Sequence, residues 1–511
     1  MIWPLVPAFF AGLMLSWALE LLLTPRPQAP WRRPASAVAV HTGIWTLAFA
    51  LEIALFRRPY FAAGNVLALQ CVFIIVNNAK YHSLHEPFVY PDFTFFSDAI
   101  KHPRLYLPFL GWMAPLAAAA GYGLALWAGL KYEPAVDAQL STWALMAHAA
   151  VLALLGWALA KAGARGLPPS SAFDAVQDIR QLGLAASLWQ YAIAERADTQ
   201  SIRDAAPFAQ ASTQARPDLE DLPDIVVVQS ESFFDARRLY PQIRPEVLAN
   251  FDLLRSESLQ HGQVQVEAWG ANTIRTEFGF LSGLSAKQLG VHRFHPYRKL
   301  AGQGVATLAS YLRSLGYRTI CVHPYHGQFY DRDVILPKLG FDEFIDIAAF
   351  HDAKRDGPYV GDIALADYVK TFLEKEREQP LYVHVITMEN HGPLHFEQVS
   401  AQDIEALMRA PLPKGCEDLV AYTRHLCNAD TMFGRLRASL LSQKRPGTLC
   451  IFGDHVPIMA KVYKQLGKAP GDTDYLLWKS DAREQAVHNN VTLSITKLAS
   501  VSLELGIGLR S

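Results

Sequence analysis

Three residues at the ends of two apolar runs could bind a divalent metal. The run 448–452 leads through a glycine into Asp454 and His455, and the run 225–228 leads within three residues to Glu231. Short apolar runs bounded by turn residues are typical of buried parallel strands, and ligands bind beyond the carboxyl ends of such strands. Carboxylates and a neutral imidazole suit a divalent cation. Glu231 alone is better explained as an acid that balances a helix dipole, so the prediction rests on the three residues together.

A hydroxyl group is predicted at the start of a helix. The polar turn 270–273 ends in Thr273, and the pattern that follows is helical. Such a hydroxyl is commonly only a helix cap. A hydroxyl held by a divalent metal, however, can lose its proton near neutral pH and act as a nucleophile. A helix N-terminus also favours a phosphoryl or sulfuryl group, so both interpretations stay open for Thr273.

Two further strand ends carry groups that could bind an anion. The segment 323–332 contains His326 and closes with Arg332, whose guanidinium suits an anionic oxygen. His391 follows another apolar run at a turn before a Gly-Pro pair. Either histidine could instead have a purely structural role, but several such groups at neighbouring strand ends favour a joint anion site.

An α/β architecture is needed to bring these groups together. Strand-like and helix-like segments alternate from residue 224 onward, which predicts a mainly parallel sheet with helices on both faces. The predicted strands are 225–228, 264–267, 319–323, 382–387, 449–452 and 475–478, and the predicted helices include 305–315, 361–376 and 418–442.

The first third of the chain has a different composition. Half of all 511 residues are hydrophobic (51%), and five long apolar stretches occupy 3–23, 37–56, 61–77, 105–130 and 142–163. Each approaches or exceeds the ~20 residues that cross a bilayer as a helix, which predicts a domain of five transmembrane helices. The formal net charge of −1 gives no electrostatic footprint for nucleic acid.

Two segments connect or follow these stretches. The segment 78–104 is either a re-entrant or interfacial segment or a plain loop. The segment 173–196 has an amphipathic pattern, which indicates a helix on the membrane surface or one packed on the globular domain. The predicted boundaries are 1–165 for the membrane domain, 166–222 for the interfacial helix and linker, and 223–511 for the catalytic domain. Cys416 and Cys427 could pair in an oxidising compartment.

The charges that flank the apolar stretches bear on topology. Five spans place the N-terminus and the catalytic domain on opposite sides of the membrane. The catalytic side has more lysine and arginine, so the positive-inside rule alone would place that domain in the cytoplasm. The basic residues counted on that side are Arg26, Arg32, Arg33, Lys80, Lys101, Arg104, Lys161 and Arg165.

Taken together, these residues resemble the lipoteichoic acid synthase and membrane phosphoglycerol transferase group of the alkaline phosphatase–sulfatase superfamily. The resemblance covers nearly the whole chain, and the motifs follow the same order. The matching motifs are Ser230-Glu231-Ser232, Thr273 followed by Thr276-Glu277-Phe278, Phe329-Tyr330-Asp331-Arg332, Asn390-His391 and Gly453-Asp454-His455.

The resemblance implies a sulfatase-like catalytic domain and a role for each matching residue. Glu231, Asp454 and His455 would bind Mn²⁺ or Mg²⁺, and Thr273 would be the nucleophile and fourth ligand. The substrate-binding residues would be Arg332, Tyr330, His326 and His391, and His391 would also assist catalysis. Tyr330 stands where lipoteichoic acid synthases have a tryptophan. The sequence Thr273-Ile274-Arg275 also departs from the Thr-Ser-Asp of the Gram-positive enzymes, which favours an acceptor other than lipoteichoic acid.

The activity implied by this resemblance is transfer of glycerol phosphate. The donor would be a lipid such as phosphatidylglycerol, and the acceptor would be a glycan or polymer outside the cytoplasm. The resemblance also places the catalytic domain outside the cytoplasm, as part of a multi-pass protein of the inner membrane, against the charge count. Alternatives are a phosphoethanolamine transferase, another hydrolase of the superfamily, and a catalytically silent relative that binds lipid or glycan.

Overall fold

The computed structural model describes residues 5–101, 103, 113–136, 141–169, 172–210, 218–220, 222–481 and 490–508. The chain forms two compact units, Met1–Ala197 and Asp198–Ser511. The described part of the first unit is helical, and the second unit contains the sheet.

The N-terminal unit consists of membrane-length helices and shorter ones. Its helices are α1 (Leu5–Glu20), α2 (Ala35–Phe56), α3 (Pro59–Leu84), α4 (Phe95–Lys101), α5 (Met113–Tyr132), α6 (Thr142–Arg165), α7 (Ala175–Leu182) and α8 (Leu184–Glu195).

Three of the helices within the described residues are long and apolar enough to cross a membrane, namely α2, α3 and α6. These helices identify the unit as a membrane domain. The expected count of five spans is not confirmed. Within the described residues, helix α1 has 16 residues, about 24 Å of helix against a hydrocarbon core of about 30 Å, and residues 1–4 before it lie outside that range. The stretch 105–130 lies partly outside the described residues.

The amphipathic segment 173–196 forms two helices instead of one. Gly183 separates α7 from α8 with a positive φ of 80°, a backbone conformation that glycine adopts without strain. Both helices belong to the N-terminal unit. Ile179 and Leu184 pack with Ile74 of α3, and Leu182 packs with Val40 of α2. Here the apolar faces of α7 and α8 pack against the spans.

The segment that follows α3 is held by two partly buried ion pairs. Helix α3 continues to residue 84, so Lys80 lies on the helix and not in a loop. Its ammonium group binds Glu86 at 2.7 Å and Asp92 at 2.6 Å. Phe88 and Phe93 stack edge to face beside these groups. The connection is therefore a folded segment packed onto the end of a span.

The C-terminal unit is built on an eight-stranded sheet and a small two-stranded one. The strands are β1 (Asp224–Ser230), β2 (Gln260–Gln265), β3 (Arg318–Val322), β4 (Glu343–Ile345), β5 (Arg355–Asp356), β6 (Tyr359–Val360), β7 (Leu381–Ile386), β8 (Gly447–Gly453), β9 (Thr473–Lys479) and β10 (Leu493–Ser494). The order in the large sheet is β10-β2-β9-β8-β1-β7-β3-β4, and β5 pairs with β6. The pairs β9–β8 and β9–β2 are antiparallel and the others in the large sheet are parallel. The prediction of a mainly parallel sheet is confirmed.

Helices cover both faces of this sheet. They are α9 (Gln200–Asp204), α10 (Pro207–Gln210), α11 (Ala249–Glu257), α12 (Thr273–Ser282), α13 (Ala286–Leu289), α14 (Pro296–Lys299), α15 (Leu308–Ser314), α16 (Arg332–Lys338), α17 (Asp362–Leu373), α18 (Ala401–Leu407), α19 (Glu417–Leu441), α20 (Ala460–Leu466) and α21 (Ile495–Ile507).

The central strands are apolar on both faces because the side chains of each strand pack into two separate hydrophobic cores. Val226 and Val228 of β1 pack into the core that includes α17 and α19, whereas Ile225 and Val227 pack into the core that includes α12, α15 and α21. Alternate residues of a strand point to opposite faces, so a strand buried on both faces reads as a continuous apolar run. The core on the second face also contains Phe208 of α10, which lies within the segment predicted as a linker.

Candidate metal centre and anion site

The predicted metal ligands meet at the carboxyl ends of two neighbouring parallel strands. Strands β1 and β8 pair in a register that sets Ser230 opposite Gly453, so the next residues, Glu231 and Asp454, leave the sheet side by side. Gly453 is needed for this turn, because a Cβ atom there would lie 1.8 Å from the carbonyl oxygen of Phe233. The sheet thus positions the site, as the strand-end argument predicted.

Glu231, Asp454 and His455 form one compact and buried cluster. One ligand atom from each lies within 4.8 Å of the others. The Nε2 atom of His455 is 3.4 Å from Oε1 of Glu231 and 3.5 Å from Oδ2 of Asp454. All three side chains are buried. Two carboxylates and one imidazole at these distances can share a single cation.

Neighbouring groups orient the three ligands. The backbone N–H of Ser232 donates to Oδ1 of Asp454 at 2.8 Å, and the hydroxyl of Ser232 donates to Glu231 at 2.9 Å. The backbone N–H of Glu231 donates to the hydroxyl of Thr387 at 2.9 Å. Such second contacts fix the direction in which a ligand presents its electron pairs.

The cluster shows two signs that a cation fits it. Oδ2 of Asp454 is buried and has no hydrogen-bond partner, which is costly for a carboxylate oxygen unless an ion binds it. Burial and the neighbouring charge of Asp454 raise the pKa of Glu231 to about 8. A cation between the two carboxylates would remove that repulsion, so the residues present fit a divalent metal.

Thr273 lies at the start of α12, with that helix end next to Asp454. The hydroxyl of Thr276, one turn later, donates to the backbone carbonyl of Asp454 at 2.8 Å. Residues three apart lie on the same face of a helix. Thr273 therefore lies on the face of α12 that contacts the end of strand β8. The side chain of Thr273 is buried, and Asn272 before it adopts a left-handed φ of 67°, which asparagine tolerates better than most residues.

Arg332 is fully buried and is fixed by two partners. Its Nη2 atom donates to Glu277 at 2.8 Å, and its Nη1 atom lies 3.2 Å from Nε2 of His323. Burial alone would raise the pKa of Glu277, but the charge and hydrogen bonds of Arg332 lower it below its usual range. Glu277 also accepts a hydrogen bond from the hydroxyl of Tyr297. The arginine is thus held in one orientation by a charged and hydrogen-bonded pair.

The remaining predicted residues lie at different depths, and Tyr330 contacts this arginine. The Tyr330 ring lies 5.2 Å from the guanidinium of Arg332, and its backbone has a positive φ of 61°. His391 is half-buried, with Nδ1 2.8 Å from the Gly392 carbonyl oxygen. His326 is exposed, and its ring packs on Tyr325.

Sequence reasoning missed the residues that support the site. His323 is the imidazole that contacts Arg332, with Nε2 3.2 Å from the guanidinium. Glu277 lies on α12 and Ser232 follows the first ligand, so both stand inside motifs that the sequence singled out. The role of Thr387 as a partner of Glu231 has no local signal, because it depends on the pairing of β1 with β7.

Comparisons with known proteins agree with this architecture. A family model described as Sulfatase matches residues 223–505. The capsular polysaccharide biosynthesis protein RkpI of Rhizobium meliloti (strain 1021) is 27% identical over 430 residues, covering 81% of this chain and 76% of that protein.

Solved structures extend the likeness in fold. The integral membrane protein lipooligosaccharide phosphoethanolamine transferase A of Neisseria meningitidis matches with a TM-score of 0.56 and 15% identity, covering 92% of this chain and 88% of that one. Streptococcus pyogenes phosphoglycerol transferase GacH, in complex with sn-glycerol-1-phosphate, matches with a TM-score of 0.45 and 18% identity, covering 60% of this chain and 82% of that one. The first of these likenesses shows a fold shared across both units.

Proposed function

The chain belongs to the Sulfatase family, and from that premise we propose that it is a membrane-anchored, metal-dependent phosphoglycerol transferase. The enzyme moves glycerol phosphate from a phosphatidylglycerol-type lipid to a glycan or polymer outside the cytoplasm. The observation that carries this proposal is the buried cluster of Glu231, Asp454 and His455 beside the helix end that bears Thr273.

Glu231, Asp454, His455 and Thr273 would hold the cation, which we propose is Mn²⁺ or Mg²⁺. Oxygen-rich sites with one imidazole suit these hard ions. When bound, the cation lowers the pKa of a coordinated hydroxyl and neutralises charge on phosphoryl oxygens. Everything else in the reaction falls to the side chains of the chain itself.

Thr273 supplies the nucleophile in the first step. Its Oγ atom forms a bond to the phosphorus of the lipid headgroup, and the bond from phosphorus to the diacylglycerol oxygen breaks. The hydroxyl proton ends on diacylglycerol, which leaves. Arg332 is already oriented by Glu277 and stabilises the negative charge that builds on the phosphoryl oxygens. The helix dipole of α12 acts in the same sense at its N-terminus.

An acceptor hydroxyl completes the transfer in the second step. Its oxygen bonds to phosphorus, the bond from phosphorus to Thr273 Oγ breaks, and the proton of the acceptor returns to Thr273. His391 assists this proton transfer and contacts the substrate. Burial lowers the pKa of His391, so its imidazole is neutral near pH 7 and can accept a proton. Tyr330 and His326 contact the glycerol and the approaching acceptor.

The membrane unit supports a lipid as donor. Spans such as α2, α3 and α6 tether the catalytic unit next to the bilayer, which raises the effective concentration of a lipid headgroup. The relative RkpI is described as a capsular polysaccharide biosynthesis protein, and this supports a glycan as the acceptor.

We place the catalytic unit outside the cytoplasm, in the inner membrane, against the simple charge count. Two of the basic residues in that count are neutralised within the fold. Arg33 pairs with Glu20, and Lys80 pairs with Glu86 and Asp92. The excess of positive charge on the catalytic side is therefore smaller than the count of lysine and arginine suggests. The basic residues that remain can also bind anionic lipid headgroups.

The group transferred is the finer part of the proposal. Phosphoethanolamine transfer is the nearest alternative, because the same fold carries it in a transferase of Neisseria meningitidis. All five cysteines lie within the described residues and are free thiols, including Cys416 and Cys427. Enzymes of that alternative class resemble this one but usually carry several disulfides, so the free thiols favour glycerol phosphate.

A direct assay separates these possibilities. The purified full chain with Mn²⁺ should release diacylglycerol from labelled phosphatidylglycerol and not from phosphatidylethanolamine. The reverse preference would replace glycerol by ethanolamine phosphate. Absence of release from either lipid with Mn²⁺, Mg²⁺ or Zn²⁺ would overturn the transferase proposal and favour a lipid- or glycan-binding protein.

A further inference from the structure

The segment that carries His391 is closed at its base by two carboxylates. It runs from residue 390 to 396, between β7 and α18, and is called the His391 loop below. Glu389 precedes it and Glu397 follows it. Both carboxylates are buried, at 0% and 8% side-chain exposure. Two like charges held this close inside a protein repel each other unless a cation lies between them.

His425 is the group that lies between them. It is fully buried near the middle of α19. Its Nδ1 atom is 2.6 Å from Glu389, and its Nε2 atom is 2.9 Å from both oxygens of Glu397. One ring thus bridges the two ends of the His391 loop.

Hydrogen bonding alone fixes the charge of this ring. An ionised carboxylate only accepts hydrogen bonds, so a ring with a carboxylate at each nitrogen must donate from both and is an imidazolium. Each oxygen of Glu389 also accepts a hydrogen bond from another N–H donor, from the backbone of Asp362 at 2.6 Å and from the side chain of Asn428 at 2.6 Å. Arg424 binds Glu397 at 2.6 Å. Two cations therefore balance two anions.

The pKa shifts agree with this geometry. Burial works against the charged form of His425, but the hydrogen bonds and charges of Glu389 and Glu397 raise its pKa to about 9. Burial and the charge of Glu389 raise the pKa of Asp362 well above its usual range.

The cluster of His425, Glu389 and Glu397 is called the clasp below. It is connected to the metal centre through residues 387–391. Thr387 lies two residues before Glu389 and accepts the backbone N–H of Glu231. Asn390 and His391 follow Glu389 directly. A change at Glu389 would therefore be transmitted first to the half-buried imidazole that faces the substrate.

We propose that His425 is a positioning residue, whose imidazolium clasps Glu389 and Glu397 and so fixes His391 for the transfer reaction. The proposal rests on the proposed function only for the role of His391. The clasp itself is a property of the fold, and it can be tested without any substrate.

The first test measures the His391 loop directly. Hydrogen–deuterium exchange of the full chain, in detergent or nanodiscs, should show at least about 10-fold faster exchange of peptides covering 387–397 in His425→Gln than in wild type. Asn428→Ala is the matched control, because Asn428 donates to the same carboxylate without charge; it should change exchange less than about 3-fold. Protection of 387–397 in His425→Gln equal to wild type would overturn the proposal.

A second variant guards against global misfolding. If His425→Gln exchanges faster throughout the C-terminal unit, the Glu397→Gln variant is measured instead. It removes only the carboxylate at Nε2 of His425 and leaves the contact with Glu389 intact. Faster exchange confined to 390–397 in Glu397→Gln supports the clasp, and unchanged exchange there overturns it.

The third test asks whether His425 acts through His391. In the wild-type background, His425→Gln should lower kcat for diacylglycerol release about 10- to 100-fold with KM changed less than about 3-fold. In a His391→Ala background, the same substitution should lower kcat less than about 2-fold, since the group it positions is gone. Independent effects that multiply would overturn the positioning role. If wild type turns over no lipid, the proposed function fails, and the exchange experiment still decides the clasp.

Discussion

Replacing Glu231 by glutamine should have opposite effects on stability with and without metal. In the metal-free protein, the Glu231 carboxyl must either carry a charge beside Asp454 or take up a proton, because its pKa is about 8. Glu231→Gln removes this penalty, and the amide oxygen can still accept a hydrogen bond from the hydroxyl of Ser232. The variant should therefore be more stable than wild type in EDTA. With Mn²⁺ present, it lacks a ligand and should be less stable than wild type.

The size of each effect follows from the geometry. The ligand oxygens of Glu231 and Asp454 lie within 4.8 Å. At an effective dielectric constant of about 20, a second unit charge at that distance would cost about 3 kcal/mol, and this sets the scale of the penalty that Glu231→Gln removes. A cation at 100 times its Kd stabilises the wild type by about 2.7 kcal/mol. Each 1 kcal/mol shifts the unfolding temperature by roughly 2–4 °C in a mid-sized domain, so both effects amount to several degrees.

The assay is thermal unfolding of the full chain in one detergent, with EDTA or with saturating Mn²⁺. Glu405→Gln is the control, because Glu405 is an exposed carboxylate away from the cluster, and it should follow wild type in both conditions. A Glu231→Gln variant that is less stable than wild type in EDTA, or that gains as much from Mn²⁺ as wild type does, would refute the assignment of Glu231 as a ligand in a charge-repelled cluster.

Three further outcomes are expected. Thr273→Ala should lower diacylglycerol release at least about 10³-fold while most of the Mn²⁺-dependent stabilisation persists, and comparable loss of both would mean that Thr273 is only a ligand. Arg332→Gln should lower the free energy of unfolding by about 3–5 kcal/mol, because Glu277 stays buried without its cation. Adding Glu277→Gln to this variant should restore stability but not diacylglycerol release. Restored release would exclude Arg332 from the phosphate site. The pKa of His425 is about 9 in the fold against 6.5 ordinarily, so the charged ring stabilises the fold by about 3 kcal/mol. This stabilisation is complete below pH 6.5 and is lost as the pH rises through 9. In a plot of unfolding free energy against pH, His425→Gln should flatten the slope between pH 6.5 and 9, and an unchanged slope would contradict the assignment.

The large-scale fold was predictable because its signals are local. Continuous apolar runs mark strands buried on both faces, and β1, β7 and β8 are of this kind. The sequence predicted a segment overlapping each of these strands and each of β2, β3 and β9. The short strands β4 and β10 were missed, because two or three residues give no periodicity. The antiparallel placement of β9 was also missed, since strand direction depends on the connections that follow.

In the membrane unit, too, some features were predictable from the sequence and others were not. Its long apolar helices α2, α3 and α6 are compositional features and were predicted. The break at Gly183 within the amphipathic segment was not, because a single glycine is also tolerated inside a helix. The partners of Arg33 and Lys80 lie elsewhere in the unit, and sequence alone counted both as free charges.

By itself, the sequence determined which residue types end the strands, and hence that Glu231, Asp454 and His455 could form a metal site near Thr273. Only the tertiary structure decided which buried groups support them. The β1–β8 register sets two carboxylates side by side, α12 supplies Glu277 to Arg332, and α19 supplies His425 to the His391 loop. These contacts join residues tens to hundreds of positions apart, and burial enforces them because a charge removed from water is stable only beside an opposite charge or a hydrogen-bond partner.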